Sequence, residues 1–325
     1  MPLALRAGVI GASGVGKHHA KWLNALGCDV VAFVGTSADT VARAGQALHD
    51  LFGFTGRGYI GVPDMLDAEA LDIVSICSPP QLHHDHLLLA VHQGCHVLCE
   101  KPLAWDPAKP LASLIAEGRE MVAAAEIRGI VAAINTQYTA AAEPYLQLLR
   151  LAHAPVEPSC PTEFAMRMTS RGGKAEPSGE KIWMDLASHP ISLLMALAGP
   201  GRIVPGSESC MMEGGQATAT FTYARSVGGD VQARLDAVNV PEGPLGRRFG
   251  INGQMAEYDG RNDEDGVFAA YLKLGEHELK AVDFVQTSIS RFVGAVRGEA
   301  TPLATLQDGL INLEMQLNLL SVARG

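Results

Sequence analysis

Three side chains in this sequence have the types and settings to move a proton and steady a charge. Lys101 stands in Glu100-Lys101-Pro102, closing the apolar run His96-Val97-Leu98-Cys99. In a parallel α/β sheet ligands bind outside the carboxyl ends of the strands, so a lysine that ends such a strand faces whatever is held there. Lys101 is therefore the first candidate for a catalytic residue. Asp185 and His189 lie four residues apart, just before the apolar run Ile191 to Ala198. In a helix that spacing puts both on one face, where a carboxylate can fix the tautomer of an imidazole; its ordinary pKa, about 6.5, suits proton transfer at neutral pH. Pro190 suits only the first turn of a helix, which predicts regular helix from near Ser188 with Asp185 in the preceding turn. Alone, such an Asp–His pair is more often a structural helix start than a catalytic pair, and its company with Lys101 is what favours chemistry.

The elements that must position these groups begin at the amino end. Gly11-Ala12-Ser13-Gly14-Val15-Gly16 follows the apolar strand Ala7 to Ile10 and opens a helical stretch from Lys17 to Leu26, ended by Gly27. Backbone N–H groups in such a turn, with the positive end of the helix, can hold a pyrophosphate. Gly11, Ser13, Gly14, Val15 and Gly16 are accordingly assigned to a dinucleotide. Ser13 replaces the second glycine of G-x-G-x-x-G, the position normally bare so that backbone can approach phosphate. The stretch Gly11 to Lys17 also matches most of a P-loop, but His18 occupies the place where a Ser or Thr hydroxyl must hold Mg²⁺, which argues against nucleotide hydrolysis.

NAD-binding folds commonly carry an acidic residue about 20 positions after the turn, on the ribose hydroxyls. Here the second strand, Val30 to Val34, runs into Gly35-Thr36-Ser37 with no carboxylate before Asp39. That leaves room for a 2′-phosphate, hydrogen-bonded by Thr36 and Ser37 and partly neutralised by Arg43. NADP is expected, with NAD as the second choice. Thr36 and Ser37 also suit the cap of the next helix (Val41, Ala44, Leu48, Leu51), and the two roles are compatible.

A chain of 325 residues suggests about two domains, at roughly 150 residues each. The formal net charge of −10 gives no general attraction for nucleic acid or anionic membranes. No apolar run reaches the roughly 18 residues of a membrane span, and the first residues carry no secretory pattern, so a soluble cytoplasmic protein is expected. The six cysteines form no C-x-x-C pair and read as small buried apolar residues.

Strands at 71–77, 97–99 and 130–134 alternate with helices at 83–93 and 107–126, the pattern of a parallel sheet covered on both faces. Beyond Tyr138 come strands at 162–168, 217–223, 231–235 and 267–272 with Gly/Pro-rich turns and little helix. The fold class expected is α/β: an N-terminal doubly wound, Rossmann-type parallel sheet over residues 1–137, which binds the dinucleotide, and an α+β domain over 138–325 with a large, mostly antiparallel open sheet, which binds substrate and carries oligomer contacts. Two closing helices, with Phe284, Phe292, Val293 and Val296, then Leu306, Leu310, Leu313, Leu317 and Leu320, should turn apolar faces inward, and they can pack back on the first domain.

Asn135, Gln137, Tyr138 and Trp183 are candidates to line a substrate pocket, from their place near the domain junction and the Asp–His pair. Arg167, Arg171, Lys174 and Lys181 crowd the stretch before Trp183, opposed by Glu176 and Glu180. A solvated basic loop is the plainer reading; recognition of an anionic substrate such as a sugar acid, with Arg167 in contact, is the functional one. The run His83-His84-Asp85-His86 invites a metal, but no third ligand at a site-forming spacing is evident, and capping or core roles are expected instead.

The glycine turn, Pro79 and His83 after the 73–77 strand, Glu100-Lys101-Pro102 and Asp185-x-x-x-His189 together resemble the Gfo/Idh/MocA oxidoreductases over nearly the whole chain. The run from Ser78-Pro79-Pro80-Gln81-Leu82-His83 to Glu100-Lys101-Pro102 is its most specific part. The resemblance implies a nicotinamide-dependent dehydrogenase or reductase acting on the CH–OH group of a sugar, inositol, sugar acid or related polyol. It implies Lys101, Asp185 and His189 as catalytic residues, with Ser78, Pro79, His83, Glu100 and Lys101 at the cofactor. Beside Asp185 and His189, the substrate candidates are Tyr138 and Trp183 from their position and Arg167 from the basic stretch, and the resemblance assigns the second sheet to a homodimer or homotetramer contact. Hydride would pass between the substrate carbon and nicotinamide C4, with His189 taking the hydroxyl proton, Lys101 steadying the alkoxide and Asp185 orienting the ring. Departures are Ser13, Ser192 where many members carry an acidic residue, and the irregular stretch His153 to Pro161. The alternative from another class is a non-catalytic NADP-binding sensor of the same fold, against which the intact Lys101, Asp185 and His189 argue.

Overall fold

The computed structural model describes residues 4–171, 178–240, 242–243 and 245–325. Lys174 and Glu176 of the basic stretch lie outside the described residues. The chain divides into two compact units, Met1–Thr136 with Val285–Leu310, and Gln137–Phe284 with Ile311–Gly325.

The first unit is built on six strands, β1 (Arg6–Ile10), β2 (Asp29–Val34), β3 (Arg57–Tyr59), β4 (Ile73–Ile76), β5 (His96–Glu100) and β6 (Ala132–Asn135). All pair in parallel, in the order β3-β2-β1-β4-β5-β6. Such a sheet needs cover on both faces, which is why β4 is buried at every position. The crossovers carry α1 (Gly16–Ala25), α2 (Ala38–Phe52), α3 (Val62–Ala68), α4 (His83–His92) and α5 (Leu111–Arg128). The alternation read from the sequence is present. β3 and α3 were not anticipated, being too short for a periodic signal, and α5 begins at Leu111 rather than near 107 because Pro110 occupies its N-cap. The core joins Val9, Phe33, Leu48, Phe54 and Leu98 to Ile289, Phe292 and Val293.

The second unit opens with α6 (Ala142–Leu151) and continues through β7 (Glu163–Arg171), α7 (Gly179–Leu186) and α8 (Ser188–Ala198). Eight further strands follow: β8 (Gly201–Ile203), β9 (Ser209–Glu213), β10 (Gln216–Arg225), β11 (Val231–Val240), β12 (Arg247–Ile251), β13 (Gln254–Asn262), β14 (Phe268–Leu274) and β15 (His277–Val282). They form one nine-stranded sheet in the order β15-β14-β13-β12-β7-β11-β10-β8, with β9 on β10. Every pairing is antiparallel except β7 with β11. In β7, Phe164, Met166 and Met168 are buried while Glu163, Arg167 and Arg171 are exposed, the two-residue alternation of a sheet with one face covered. The chain ends in α9 (Phe284–Val296) and α10 (Leu306–Arg324). No described helix is long and apolar enough to cross a membrane.

Candidate active site

The glycine turn does what its sequence requires. Gly11 leaves β1 at φ +87°, and a Cβ there would stand 2.7 Å from the Cys77 carbonyl oxygen. Gly16, the first residue of α1, lies so close to the turn that a Cβ would meet the Gly11 oxygen at 2.0 Å. Gly14 adopts φ +56° with open space around it. No side chain caps α1 and its first turn holds no acidic residue, so its positive end is available to an anion.

Beside the turn is a cavity of about 530 Å³ at the carboxyl ends of β1, β2 and β4, where the strand order reverses. It is lined by Gly11, Ser13, Thr36, Ser78 and Pro79 among the expected cofactor residues, with Ile60 and Leu82 as apolar walls. That is where a dinucleotide sits in a doubly wound sheet. Gly14, Val15, Gly16, Ser37, Arg43, His83, Glu100 and Lys101 are not in that lining. Ser37 caps α2, accepting from the Thr40 N–H at 3.2 Å while Thr40 Oγ1 accepts from Ser37 N–H at 2.8 Å. Arg43 pairs with Asp39 at 2.8 Å on the surface. His83 is fully buried, each ring nitrogen 2.9 Å from a carbonyl oxygen, of Ser78 and of Pro102. Its ring thus joins the turn after β4 to the turn after β5, and does not line the cavity. Burial lowers its pKa, against the two carbonyl acceptors that favour a second ring proton. His84 and His86 bond Asp85 with Glu120 and Ser78 respectively, each at about 3 Å.

Glu100 ends β5 and Lys101 follows it. The Glu100 carboxylate is buried and accepts from Asn135 Nδ2 at 2.5 Å, from His19 Nε2 at 2.9 Å and from the Lys101 N–H at 3.3 Å. Burial is the largest influence and would raise its pKa, but the bond and charge of His19, the Asn135 bond and the Lys101 charge together outweigh it, and the result lies below the usual carboxylate value. His19 is buried completely and its other nitrogen is 2.8 Å from Ser75 Oγ. Burial would push this imidazole down, yet Cys77 and Glu100 hold it up to about 10.

In the second unit α7 and α8 abut at Ala187, so Asp185 lies in the last turn of α7 and His189 in the first of α8. The helix starts at Ser188, as Pro190 requires, but Asp185 belongs to a helix and not to the preceding turn. Ser192 Oγ donates to the His189 carbonyl at 2.9 Å. His189 is buried with its ring 5.1 Å from that of Tyr138, which also meets Phe249, Tyr258 and Phe284. Trp183 is wholly buried and its indole N–H donates to the Gln316 carbonyl at 3.1 Å, so it is a core residue and not a pocket wall. Arg167 corrects a second expectation. It pairs in register with Arg248 and Asp236, on the face opposite Met166 and Phe249, whereas the His189–Tyr138 cluster packs on the Phe249 face. A cation on that face is Arg247, whose charge acts on the Tyr138 hydroxyl; it donates from Nη1 to the carbonyls of Thr169 and Gly246 and forms no ion pair among the described residues.

Residues 5–136 match the family described as "Oxidoreductase family, NAD-binding Rossmann fold", GFO_IDH_MocA. A 1,5-anhydro-D-fructose reductase from Ensifer adhaerens is 26% identical over 98% of this chain and 96% of that protein. Over residues 5–136 the chain is thus similar to the Gfo/Idh/MocA oxidoreductases. An inositol 2-dehydrogenase from Corynebacterium glutamicum is 34% identical over a shorter span, 34% of this chain and 32% of that one. A levoglucosan dehydrogenase, solved in complex with NADH and levoglucosan, shares the fold at a TM-score of 0.74 and 14% identity, covering 99% of this chain and 98% of that one.

Several residues of this chain escaped sequence reasoning. His19 was passed over beside His18, and Arg247 lay outside the basic stretch that drew attention. Asn312 and Gln316 of α10 hold the start of α8, donating to the Ser188 carbonyl and hydroxyl at 2.8 Å each. Their signal was present as two buried amides, four residues apart, inside a leucine-rich helix.

Proposed function

We propose that this oxidoreductase transfers a hydride between NADP(H) and the carbinol or carbonyl carbon of a sugar, inositol, sugar acid or related polyol. The observation that carries the reading is the cavity at the carboxyl ends of β1, β2 and β4, with the glycine turn at its edge and Lys101 following the adjacent strand β5. NADP(H), when bound, supplies or accepts the hydride at nicotinamide C4. Gly11, Ser13, Gly14, Val15, Gly16 and the end of α1 hold the pyrophosphate; Ser78 reaches the dinucleotide from the cavity wall, and Thr36 its 2′-phosphate. Lys101 steadies negative charge on the substrate oxygen, His189 accepts the hydroxyl proton during oxidation, and Asp185 orients the imidazole. Tyr138 and Arg247 give the substrate's other oxygens an aromatic wall and hydrogen-bond donors.

The preference for NADP rests on the end of β2. Thr36 lines the cavity where a ribose carboxylate would stand, and Arg43 is held only by an exposed ion pair with Asp39, worth about 0–1 kcal/mol, which a phosphate dianion can displace. The polar outer face of the large sheet is assigned to a homodimer or homotetramer contact, read by sedimentation. The test of function is a panel of sugars, inositols and sugar acids assayed with NADP⁺ and NAD⁺ by absorbance of the reduced cofactor, with Lys101→Met beside the parent. Turnover with at least one polyol, lost in Lys101→Met, is expected. Tighter binding of NAD(H) than NADP(H) refutes the cofactor choice, and full activity in Lys101→Met refutes the assigned roles.

A further inference from the structure

Four elements of the first unit meet around one buried carboxylate. His19 comes from the first turn of α1, Ser75 from β4, Glu100 from β5 and Asn135 from β6, at separations of 2.5 to 2.9 Å along the chain of contacts. Cys77, in the wall of the dinucleotide cavity, adds its sulfur 3.7 Å from Ser75 Oγ. Glu100 was expected at the cofactor and Asn135 at the substrate, but the proposed reaction gives this cluster no part, and a buried ionisable network is costly unless each member is satisfied. The second Glu100 oxygen accepts the Lys101 N–H, so whatever fixes Glu100 also fixes the peptide that leads into Lys101.

Placement makes the charge on His19 unusual. A cation in the first turn of a helix opposes the helix dipole, so α1 gains nothing from it. It does suit an anion-binding helix end, and it compensates a carboxylate that would otherwise be buried one residue from the Lys101 ammonium. An uncompensated carboxylate there would attract that ammonium and withdraw it from a substrate oxygen.

We propose that His19 is a positioning residue for hydride transfer: as an imidazolium it fixes and neutralises the Glu100 carboxylate, keeps it from competing for the Lys101 ammonium, and ties the end of β5 to the pyrophosphate-binding turn of α1. This rests on the reading that the cavity takes a nicotinamide dinucleotide and that Lys101 acts on substrate. The groups facing the His19 ring are Glu100 and Asn135 on one nitrogen and Ser75, with Cys77 behind it, on the other; Lys101 is the nearest neighbour of Glu100 in the chain.

The test uses the full chain and three variants, His19→Gln, Glu100→Gln and the double variant. Glutamine at 19 keeps a donor for Glu100 and removes the charge, so burial raises the carboxyl's pKa above its place in the parent. NADPH affinity, read by fluorescence, and turnover in His19→Gln should then become pH-dependent between about pH 6 and 8, with turnover lowered about 10²-fold on the ionised side. The double variant should lose that pH dependence, because the titrating carboxyl is gone. A His19→Gln profile parallel to the parent, or effects of the two substitutions that simply add, overturns the proposal. The second measurement needs neither activity nor a variant. Nitrogen NMR of the parent should find the His19 ring doubly protonated from pH 6 to 9, and a ring that titrates near 6.5 overturns the proposal. Absence of turnover from the parent, with the ring still doubly protonated, sinks the dehydrogenase reading and leaves the His19–Glu100 pairing intact.

Discussion

Replacing Gly16 with alanine should damage dinucleotide binding far more than replacing Gly14, two residues away. A Cβ at Gly16 would lie 2.0 Å from the Gly11 carbonyl oxygen, 3.0 Å from its carbon and 3.2 Å from Cys77 Cβ. The first two contacts are backbone, so no rotamer change relieves them. Ordinary contact begins near 3.4 Å, so α1 and the end of β1 must separate by about 1.4 Å. Overpacking of this kind costs about 1–3 kcal/mol, and the absence of a flexible neighbour puts Gly16→Ala at the upper end. Where that shift opens the turn that holds the pyrophosphate, about 3 kcal/mol corresponds to roughly a 10²-fold loss of affinity. Gly14 has φ +56° and no heavy atom within 4 Å of its Cβ position, so Gly14→Ala meets only the left-handed backbone strain of about 1–2 kcal/mol. Both variants would be titrated with NADPH by fluorescence, with thermal unfolding run alongside. Parent-like affinity in Gly16→Ala, or equal losses in the two variants, would refute the assignment of this turn.

Other outcomes follow from single contacts. Thr36→Asp places a carboxylate in the cavity wall and should cut NADP affinity about tenfold relative to NAD; an unchanged ratio in competition binding removes Thr36 from the 2′-phosphate site. Arg247→Gln should raise KM for a polyol substrate while Arg167→Ala, on the opposite sheet face, leaves it unchanged, and the reverse pattern places the substrate on the Arg167 face. Tyr145 Oη accepts from the Ile251 N–H at 2.9 Å and donates to the Gln254 carbonyl at 2.7 Å, so Tyr145→Phe should lose about 1–3 kcal/mol in urea unfolding; an unmoved midpoint contradicts that accounting. The pKa of His19 is raised in the folded protein to about 10, so its contribution to stability is complete below about pH 6.5 and declines as pH climbs towards 10. Melting temperature should fall over that range in the parent and less in His19→Gln, and parallel curves exclude it.

Local chemistry was legible wherever one element declares itself. The turn at Gly11 to Gly16 needs only bare backbone and a following helix, and the sequence carries both. Strands such as Ile73–Ile76 and helices such as α2 have periodicity long enough to read. What could not be read depended on pairing. Arg167 was singled out for its charge, but its face is set by register with Arg248 and Asp236, and one strand does not reveal its partners. Trp183 was placed by its position near the Asp–His pair and His83 by the resemblance to a family, and both rings are claimed by backbone carbonyls. His19 has no motif-like surroundings, and its importance comes from Glu100, 81 residues away. The antiparallel character of the second sheet was foreseen, while the parallel pairing of β7 with β11 was not, because a strand's direction leaves no mark on its composition.

That parallel pair has a consequence for how such a protein can change over time. Two strands running the same way cannot be joined by a hairpin, so the chain between β7 and β11 is obliged to travel back, and α7 and α8, with Asp185 and His189 on them, ride on the return path. The hairpins linking β12 to β15 face no such obligation. Their loops can lengthen, shorten or exchange side chains while the return path stays put, which gives new substrates a region to be tried in without unsettling the residues that would act on them.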